Sequence, residues 1–314
     1  PDSAFKTAQA LRDFNRAENL PVMIFANWRG FSGGTRDMYG EILKFGAQIV
    51  DALVEYDHPV FVYIPPNGEV RGGAWVVIDP KINPDKMEMY ADEEARGGIL
   101  EPPGIVEVKY RAPQQVEAMH RHDPKLMELD KRLAEASGSA KERLENEVKA
   151  RERQLLPLYA SVATHFADLH DRAARMKAVG VIRQAVEWKN ARRFFFWRVK
   201  RRVLQDHLVQ RLRKADSRLS HGEAVARLEQ EAREARVDVG SDEKMAGWLE
   251  ALDVDARVES GRTAAIKAEM QALLQELPEA ERVKMLRAAT AAGIAGLPMA
   301  GGQAHGAACT CATM

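Results

Sequence analysis

Cysteine is almost absent from this 314-residue chain, and so is any excess of charge. The two cysteines, Cys309 and Cys311, lie in a tail of small residues and cannot staple distant elements. A disulfide scaffold is therefore excluded, and the composition suits a reducing compartment. His305 stands near them, but the Ala/Gly-rich surroundings read as a disordered tail rather than a metal site. Lys plus Arg number 46, as do Asp plus Glu, so the net charge is zero. That balance gives no general pull towards nucleic acid or a membrane surface. No run approaches the roughly 18 uninterrupted apolar residues that a membrane helix needs. No signal peptide opens the chain either. An initiating methionine is missing too: from Pro1 the sequence enters a helical pattern through Phe5, Ala8, Leu11 and Phe14. This fits a start inside a domain of a longer polypeptide.

What is there is enough for a large core, with 46% hydrophobic and 29% charged residues. To about Arg111, strand and helix signals alternate. Ser3 is placed to cap a first helix running to about Ala17, and Pro21 to Ala26 reads as a buried strand. Asp37 to Glu55 is an amphipathic helix with Ile42, Phe45, Ile49 and Leu53 on one face. Pro59 to Ile64 is a second strand, closed by a turn at Pro65–Gly68. Further strands are expected near Glu88–Tyr90 and Ile105–Lys109. Such an order indicates an α/β layer with crossover connections. From about 113 to 180 the pattern becomes helical arms, with a hairpin break at Ser137–Gly138–Ser139 and an interruption at Pro157 before a helix from about Leu158 to Val179. Glu187 to Lys214 is helical again, and residues 215–314 form a helical extension ending in the tail.

Two glycine-rich loops follow the first two strands, the position where α/β folds bind ligands. In Asn27–Gly34, the glycines Gly30, Gly33 and Gly34 let the backbone approach a ligand closely, and Arg29 can grip a carboxylate with paired hydrogen bonds. By residue chemistry this loop fits phosphate binding, carboxylate binding or a tight turn holding a structural arginine. In Gly68–Trp75, Gly72, Gly73 and Ala74 leave backbone amides uncovered, as an oxyanion hole requires. Trp75–Ile78 scores as strand by propensity, whereas a helix beginning at Gly73 would aim its dipole at an anion. Glu101 is a site carboxylate or, preferentially, an ion-pair partner for an arginine. His165 and His170, with Asp168 and Asp171, miss the two-histidine zinc spacing and read as a packed polar helix face. His120 and His122 have nothing near them that gives a catalytic geometry. The aromatics of Phe194–Trp197 point all round a helix and are expected to be embedded in protein.

Taken together, the runs Pro1–Phe14, Phe25–Asp37, Tyr63–Pro84, Met89–Gly104 and Phe166–Arg202 resemble the carboxyltransferase domain of eukaryotic-type multidomain acetyl-CoA carboxylases, specifically its C-terminal, biotin-facing half. The resemblance is looser from Asp242 to Leu286. It implies a crotonase-like ββα superhelix over 1–214, half of an active site completed by the N-terminal half of a second subunit in a homodimer. It implies transfer of a carboxyl group from carboxybiotin to acetyl-CoA, giving malonyl-CoA for fatty-acid synthesis. Biotin would be carried covalently on a separate carrier domain. ATP and Mg or Mn would act only through a biotin carboxylase domain elsewhere in the parent, which is expected in the cytoplasm or a plastid. Arg29 then corresponds to the arginine that recognises a carboxylate, and the Gly72, Gly73 and Ala74 amides to the site for the biotin ureido oxygen. Gly30, Phe31, Gly33, Gly34, Ile42 and Val76 fall at the substrate pocket, with Arg71 and Glu101 as supports. Two alternatives stand beside this: carboxyl transfer to another acyl-CoA such as propionyl-CoA, and a non-catalytic dimerisation or scaffold module.

Overall fold

The computed structural model describes residues 1–291. The tail expectations, including His305, Cys309 and Cys311, lie outside them. Within these residues the chain divides into two compact units, 1–210 with 220–252, and 211–219 with 253 onward.

The first unit is built as a spiral. Strands β1 (Val22–Phe25), β2 (Val60–Ile64) and β4 (Met87–Ala91) make a parallel sheet in the order β1-β2-β4, in which Val22 faces Val60 and Val60 faces Met87. Strands β3 (Glu69–Arg71) and β5 (Arg96–Gly98) pair in parallel as a second sheet. Trp28 extends that sheet by one residue: its N–H donates to the Glu69 carbonyl at 2.8 Å, and the Arg71 N–H donates to the Trp28 carbonyl at 2.9 Å. Each turn of chain therefore gives one segment to each sheet before passing into helix. The first turn feeds α2 (Thr35–Tyr39) and α3 (Ile42–Val54), the second α4 (Ala74–Ile78), the third α5 (Pro102–Lys109). This is the expected ββα superhelix.

Strand β2 shows why the layers form. All five of its residues are fully buried, because it lies between two strands and under helices on both faces. Its period of two splits the core: Val60, Val62 and Ile64 join one cluster with Leu53 of α3 and with the N-terminal helix α1 (Asp2–Asp13), while Phe61 and Tyr63 join another with Phe195. The expected buried strand at 21–26 is instead an edge strand, with Phe25 exposed.

Other expectations change with context. Ser3 does not cap α1; its carbonyl accepts a hydrogen bond from Thr7 Oγ1 at 2.8 Å, and α1 gives way to one π-helical turn at Phe14–Glu18. The helix expected over 37–55 is two helices, because Glu41 takes a left-handed φ of 59° between them. The strand expected at Ile105–Lys109 is the body of α5: Pro102 and Pro103 set the φ of a first helical turn, which overrides the β-branched residues behind them. The arm contains α6 (Ala112–His122), α7 (Pro124–Glu135) and α8 (Ser139–Leu169), with Met119, Leu126, Leu129, Leu144, Val148 and Leu155 as its core. Helix α8 runs straight through Pro157, so the helix expected from Leu158 to Val179 does not exist as one element; α9 (Ala173–Ala178) is separate. An interior proline costs about 3 kcal/mol, and here α8 offsets it by packing against α6 and α7 before the proline and α5 alongside.

Helix α10 (Trp188–Ala215) lays Phe194 and Phe195 on the sheet, where Phe195 meets Phe61, Tyr63 and Tyr90. Phe196 is 59% exposed, so the aromatic run is embedded on one face only. Arg198 of α10 grips the fully buried Glu88 of β4 with two hydrogen bonds, 2.7 and 2.8 Å. Arg198 and Arg201 also reach Asp242, at the start of α12 (Asp242–Glu250); α11 (His221–Glu234) lies between α10 and α12 in the chain and is capped by Ser220. In the second unit, α13 (Val254–Glu276) is capped by Asp253 and followed by α14 (Glu279–Ala291), and Arg218 holds the Ala265 carbonyl at 2.9 Å. No helix among the described residues is long and apolar enough to cross a membrane.

Candidate functional site

The site grows from the two glycine-rich loops, which the parallel sheets bring side by side. After β1 the chain enters the second sheet at Trp28 and turns at Gly30, whose φ of 95° disfavours a side chain. Trp28 Nε1 donates to the Gly30 carbonyl at 2.7 Å, and the Trp28 ring meets Phe31 edge-on at 5.0 Å. Phe31 in turn presses onto Gly46 of α3, where a methyl group would come within 2.8 Å of its ring. The loop is thus fixed by packing and not merely by its own turn.

Gly30 lies against the second loop. A Cβ on Gly30 would sit 3.2 Å from the Gly73 amide nitrogen and 3.4 Å from that of Ala74. Neither amide donates to another group among the described residues, whereas the Gly72 N–H is spent on the Ile99 carbonyl at 3.0 Å. Gly72 thus makes the turn, with φ at 51°, and is not one of the free donors expected of it. Gly73 is exposed and Ala74 fully buried, so Gly73 presents the accessible N–H and Ala74 an unpaired one behind it. The open question over Trp75–Ile78 is resolved as the short helix α4, on which Val76 is 69% exposed.

Arg29 projects between two carboxylates. One side of its guanidinium bonds Glu69, and Nη1 meets Glu101 at 2.7 Å. Glu69 also accepts from Arg71 Nε at 2.8 Å; Arg71 is buried, and its Nη1 reaches Asp171 at 2.5 Å and the Leu100 carbonyl at 3.0 Å. Burial by itself would raise the Glu69 carboxyl, but the hydrogen bonds from Arg71 and Arg29 outweigh it and hold it below the usual carboxylate range. Burial likewise opposes the charge on Arg71, and the hydrogen bonds it donates to Asp171 and Glu69 more than restore it. Glu101 is accordingly an ion-pair partner, and Arg71 lies beneath the site rather than in its open face.

A cleft of about 880 Å³ begins where Gly30, Phe31 and Ile42 meet and extends between α1 and the free edge of β1, past Phe14 and Phe25. Gly33 and Gly34 are exposed on the way to α2, and neither is brought against the Gly73–Ala74 pair. Two residues were missed by reading the sequence, Glu69 and Asp171. Asp171, expected on a packed polar helix face, instead follows α8 and turns into the second sheet. Asp168 pairs with Arg96 and Arg172, each at 2.6 Å. Two acidic residues three apart at a helix end mark a charged cluster, but not which arginines they hold. The two ring nitrogens of His120 meet Asp130 of α7 at 2.6 Å and Glu152 of α8 at 2.9 Å, away from the glycine-rich loops.

The fold is a ββα superhelix whose two glycine-rich loops lie side by side, one carrying a carboxylate-ringed arginine and the other two amides unpaired among the described residues. The chain belongs to the carboxyl transferase domain family, whose model matches residues 1–203. It is 51% identical over 252 residues to acetyl-CoA carboxylase of Saccharomyces cerevisiae, covering 80% of this chain and 11% of that protein. A Cryptosporiopsis relative, acetyl-CoA carboxylase dmxL1, is 49% identical over 281 residues, or 88% of this chain and 12% of the relative. The mitochondrial acetyl-CoA carboxylase of S. cerevisiae is 55% identical over 216 residues, 68% and 10%. The chain thus spans only 10–12% of the length of these relatives. Among solved structures, the β subunit of Pseudomonas aeruginosa geranyl-CoA carboxylase aligns at TM-score 0.42 and 17% identity, over 63% of this chain and 31% of its own. The transcarboxylase 12S subunit aligns at 0.44 and 16%, over 62% and 30%.

Proposed function

We propose that this chain is the biotin-facing half of a carboxyltransferase site, helping to pass a carboxyl group from carboxybiotin to acetyl-CoA and so to give malonyl-CoA. The observation that carries this reading is that the side-chain-free Gly30, next to Arg29 in the loop, lies against the unpaired amides of Gly73 and Ala74. An amide pair of this kind suits the ureido oxygen of biotin, which gains negative charge as the carboxyl group leaves. A guanidinium suits the carboxylate being moved. Bound carboxybiotin supplies the carboxyl group and, once that has left, a ureido nitrogen able to take a proton. The chain's own residues bind and orient: Gly73 and Ala74 donate, Arg29 holds the carboxylate, and Trp28, Phe31 and Ile42 keep water from the adjoining cleft. Acetyl-CoA is favoured over propionyl-CoA because the relatives identical at 49–55% are acetyl-CoA carboxylases.

The coenzyme A-side half of a second subunit, a biotin carrier domain and a biotin carboxylase using ATP with Mg or Mn are the partners this reading requires. An exposed apolar line on α8, comprising Leu158, Val162, Phe166 and Leu169, offers such a half a surface to cover. The cytoplasm is the proposed compartment, with an organelle as the alternative that a mitochondrial relative brings in. In the full-length carboxylase carrying this chain, Arg29→Ala should lower carboxyl transfer by about tenfold or more with assembly intact. Unchanged transfer with failed assembly would instead support a scaffold module. The isolated chain should not turn over malonyl-CoA with a biotin derivative, and clear activity without a partner would refute the half-site.

A further inference from the structure

Arg29 cannot hold its own geometry. Its side chain is 65% exposed and has four rotatable bonds, so the groups that fix it must come from elsewhere. Exposure falls steadily along the chain of partners: Glu101 is 48% exposed, Glu69 17%, and Arg71 and Asp171 5% each. The two carboxylates on Arg29 are therefore not equivalent. Glu69 is held from behind by Arg71, while Glu101 is tied to nothing else at its carboxylate among the described residues.

Arg71 governs both. Through Nε it fixes Glu69, and through Nη1 it holds the Leu100 carbonyl, one residue before Glu101. Asp171 completes the set from the far end of α8, 100 residues away in sequence, and the pair lies flush over Gly98. A methyl group there would come within 2.8 Å of Asp171 Oδ1 and 2.9 Å of Arg71 Nη1. Its backbone is pinned too, since the Gly97 N–H donates to the Asp171 carbonyl at 2.8 Å. A buried pair with this many contacts does not exchange partners readily, whereas a half-exposed carboxylate on an exposed guanidinium does.

Resting on the half-site reading above, we propose that Asp171, Arg71 and Glu69 form a positioning relay for Arg29, and that Glu101 is a stand-in carboxylate which the substrate's carboxylate displaces. Glu69 keeps one side of the guanidinium in place, and the Nη1 side that Glu101 occupies is the side offered to substrate. None of these four touches the reacting atoms except through Arg29.

A double-mutant cycle in the full-length carboxylase tests this, with malonyl-CoA decarboxylation in the presence of a biotin derivative as the readout. Asp171→Asn and Glu69→Gln should each lower kcat/KM by about tenfold or more, and each should cost less than about twofold more once Arg29→Ala is present. Glu101→Gln should act in the opposite sense, lowering KM for the carboxylated substrate with kcat kept. Glu69→Gln covers the case in which Asp171→Asn fails to fold, because Glu69 lies nearer the surface. Wild-type activity in both relay variants, or equal losses with and without Arg29, would overturn the relay while leaving the half-site standing. Wild-type transfer by Arg29→Ala alone would remove the half-site and the relay together.

Discussion

Replacing Gly30 with alanine puts the oxyanion reading at risk with a single methyl group. The new Cβ would stand 3.2 Å from the Gly73 nitrogen and 3.4 Å from the Ala74 nitrogen. An oxygen accepting from an amide sits at roughly 2.7–3.2 Å, so the methyl group would take up the shell in which that oxygen must lie. Losing one preorganised donor of this kind costs on the order of 10²–10³ in kcat, or about 2.7–4 kcal/mol of transition-state stabilisation. A second cost falls on the fold, because φ at this residue is 95° and a non-glycine residue held there costs about 1–3 kcal/mol. The two are separable: the fold term appears as a fall of a few degrees in melting temperature, the chemical term as lost kcat in protein that is still folded. The assay is carboxyl transfer by the full-length carboxylase, well below the melting temperature of the variant, with thermal unfolding measured alongside. Gly222→Ala, on α11 with open space around it, is the control and should leave transfer unchanged. If Gly30→Ala folds and retains kcat within about threefold of wild type, the Gly73–Ala74 amides are not an oxyanion site.

Two further tests concern the frame around the site. Glu88→Gln should destabilise the protein by about 3 kcal/mol at neutral pH, since it removes one partner of a buried ion pair. Burial raises the Glu88 carboxyl, but the bonds and charges of Arg198, Arg202 and Arg183 bring it down from 4.5 to about 2. A depressed carboxylate stabilises above its unfolded pKa and loses that contribution as pH falls through the folded value. The gap between wild type and Glu88→Gln in urea unfolding should therefore shrink by about 2 kcal/mol between pH 7 and pH 3, and a gap that does not change with pH contradicts the assignment. His120 behaves with the opposite sign. Burial lowers it, but its hydrogen bonds to Asp130 and Glu152 prevail and raise it above its ordinary 6.5. Its contribution to pinning α6, α7 and α8 is complete below that value and is lost as pH rises through the folded pKa. Melting temperatures of wild type and His120→Gln should converge on the alkaline side; a constant difference from pH 5 to pH 9 would rule the clamp out.

Much of the frame was legible from residue order alone. Five consecutive β-branched and aromatic residues at Val60–Ile64 could only be a strand buried on both faces, and that strand is the centre of the larger sheet. The loops carrying Arg29 and Gly73–Ala74 were legible too, because a glycine-rich run after an apolar strand marks where a parallel sheet leaves backbone amides uncovered. Local signals failed where two of them competed. At Pro102–Lys109 the strand propensity of Ile105, Val106 and Val108 lost to the φ fixed by the prolines, and at Pro157 the helix-breaking proline lost to packing on three other helices.

What sequence order could not contain is which groups meet across distance. Nothing near Asp171 indicates that it lies 2.5 Å from Arg71, because the two are brought together only when the end of α8 docks on the second sheet. Nor can residue order tell that the Gly72 amide is spent on Ile99 while those of Gly73 and Ala74 stay unpaired; the register of the loop against the third turn of the spiral decides it. Composition and periodicity determined a parallel α/β layer with anion-friendly loops. Tertiary structure decided which amides remain free and which carboxylates hold Arg29, because hydrogen-bond partners are a property of neighbours in space and not of neighbours along the chain.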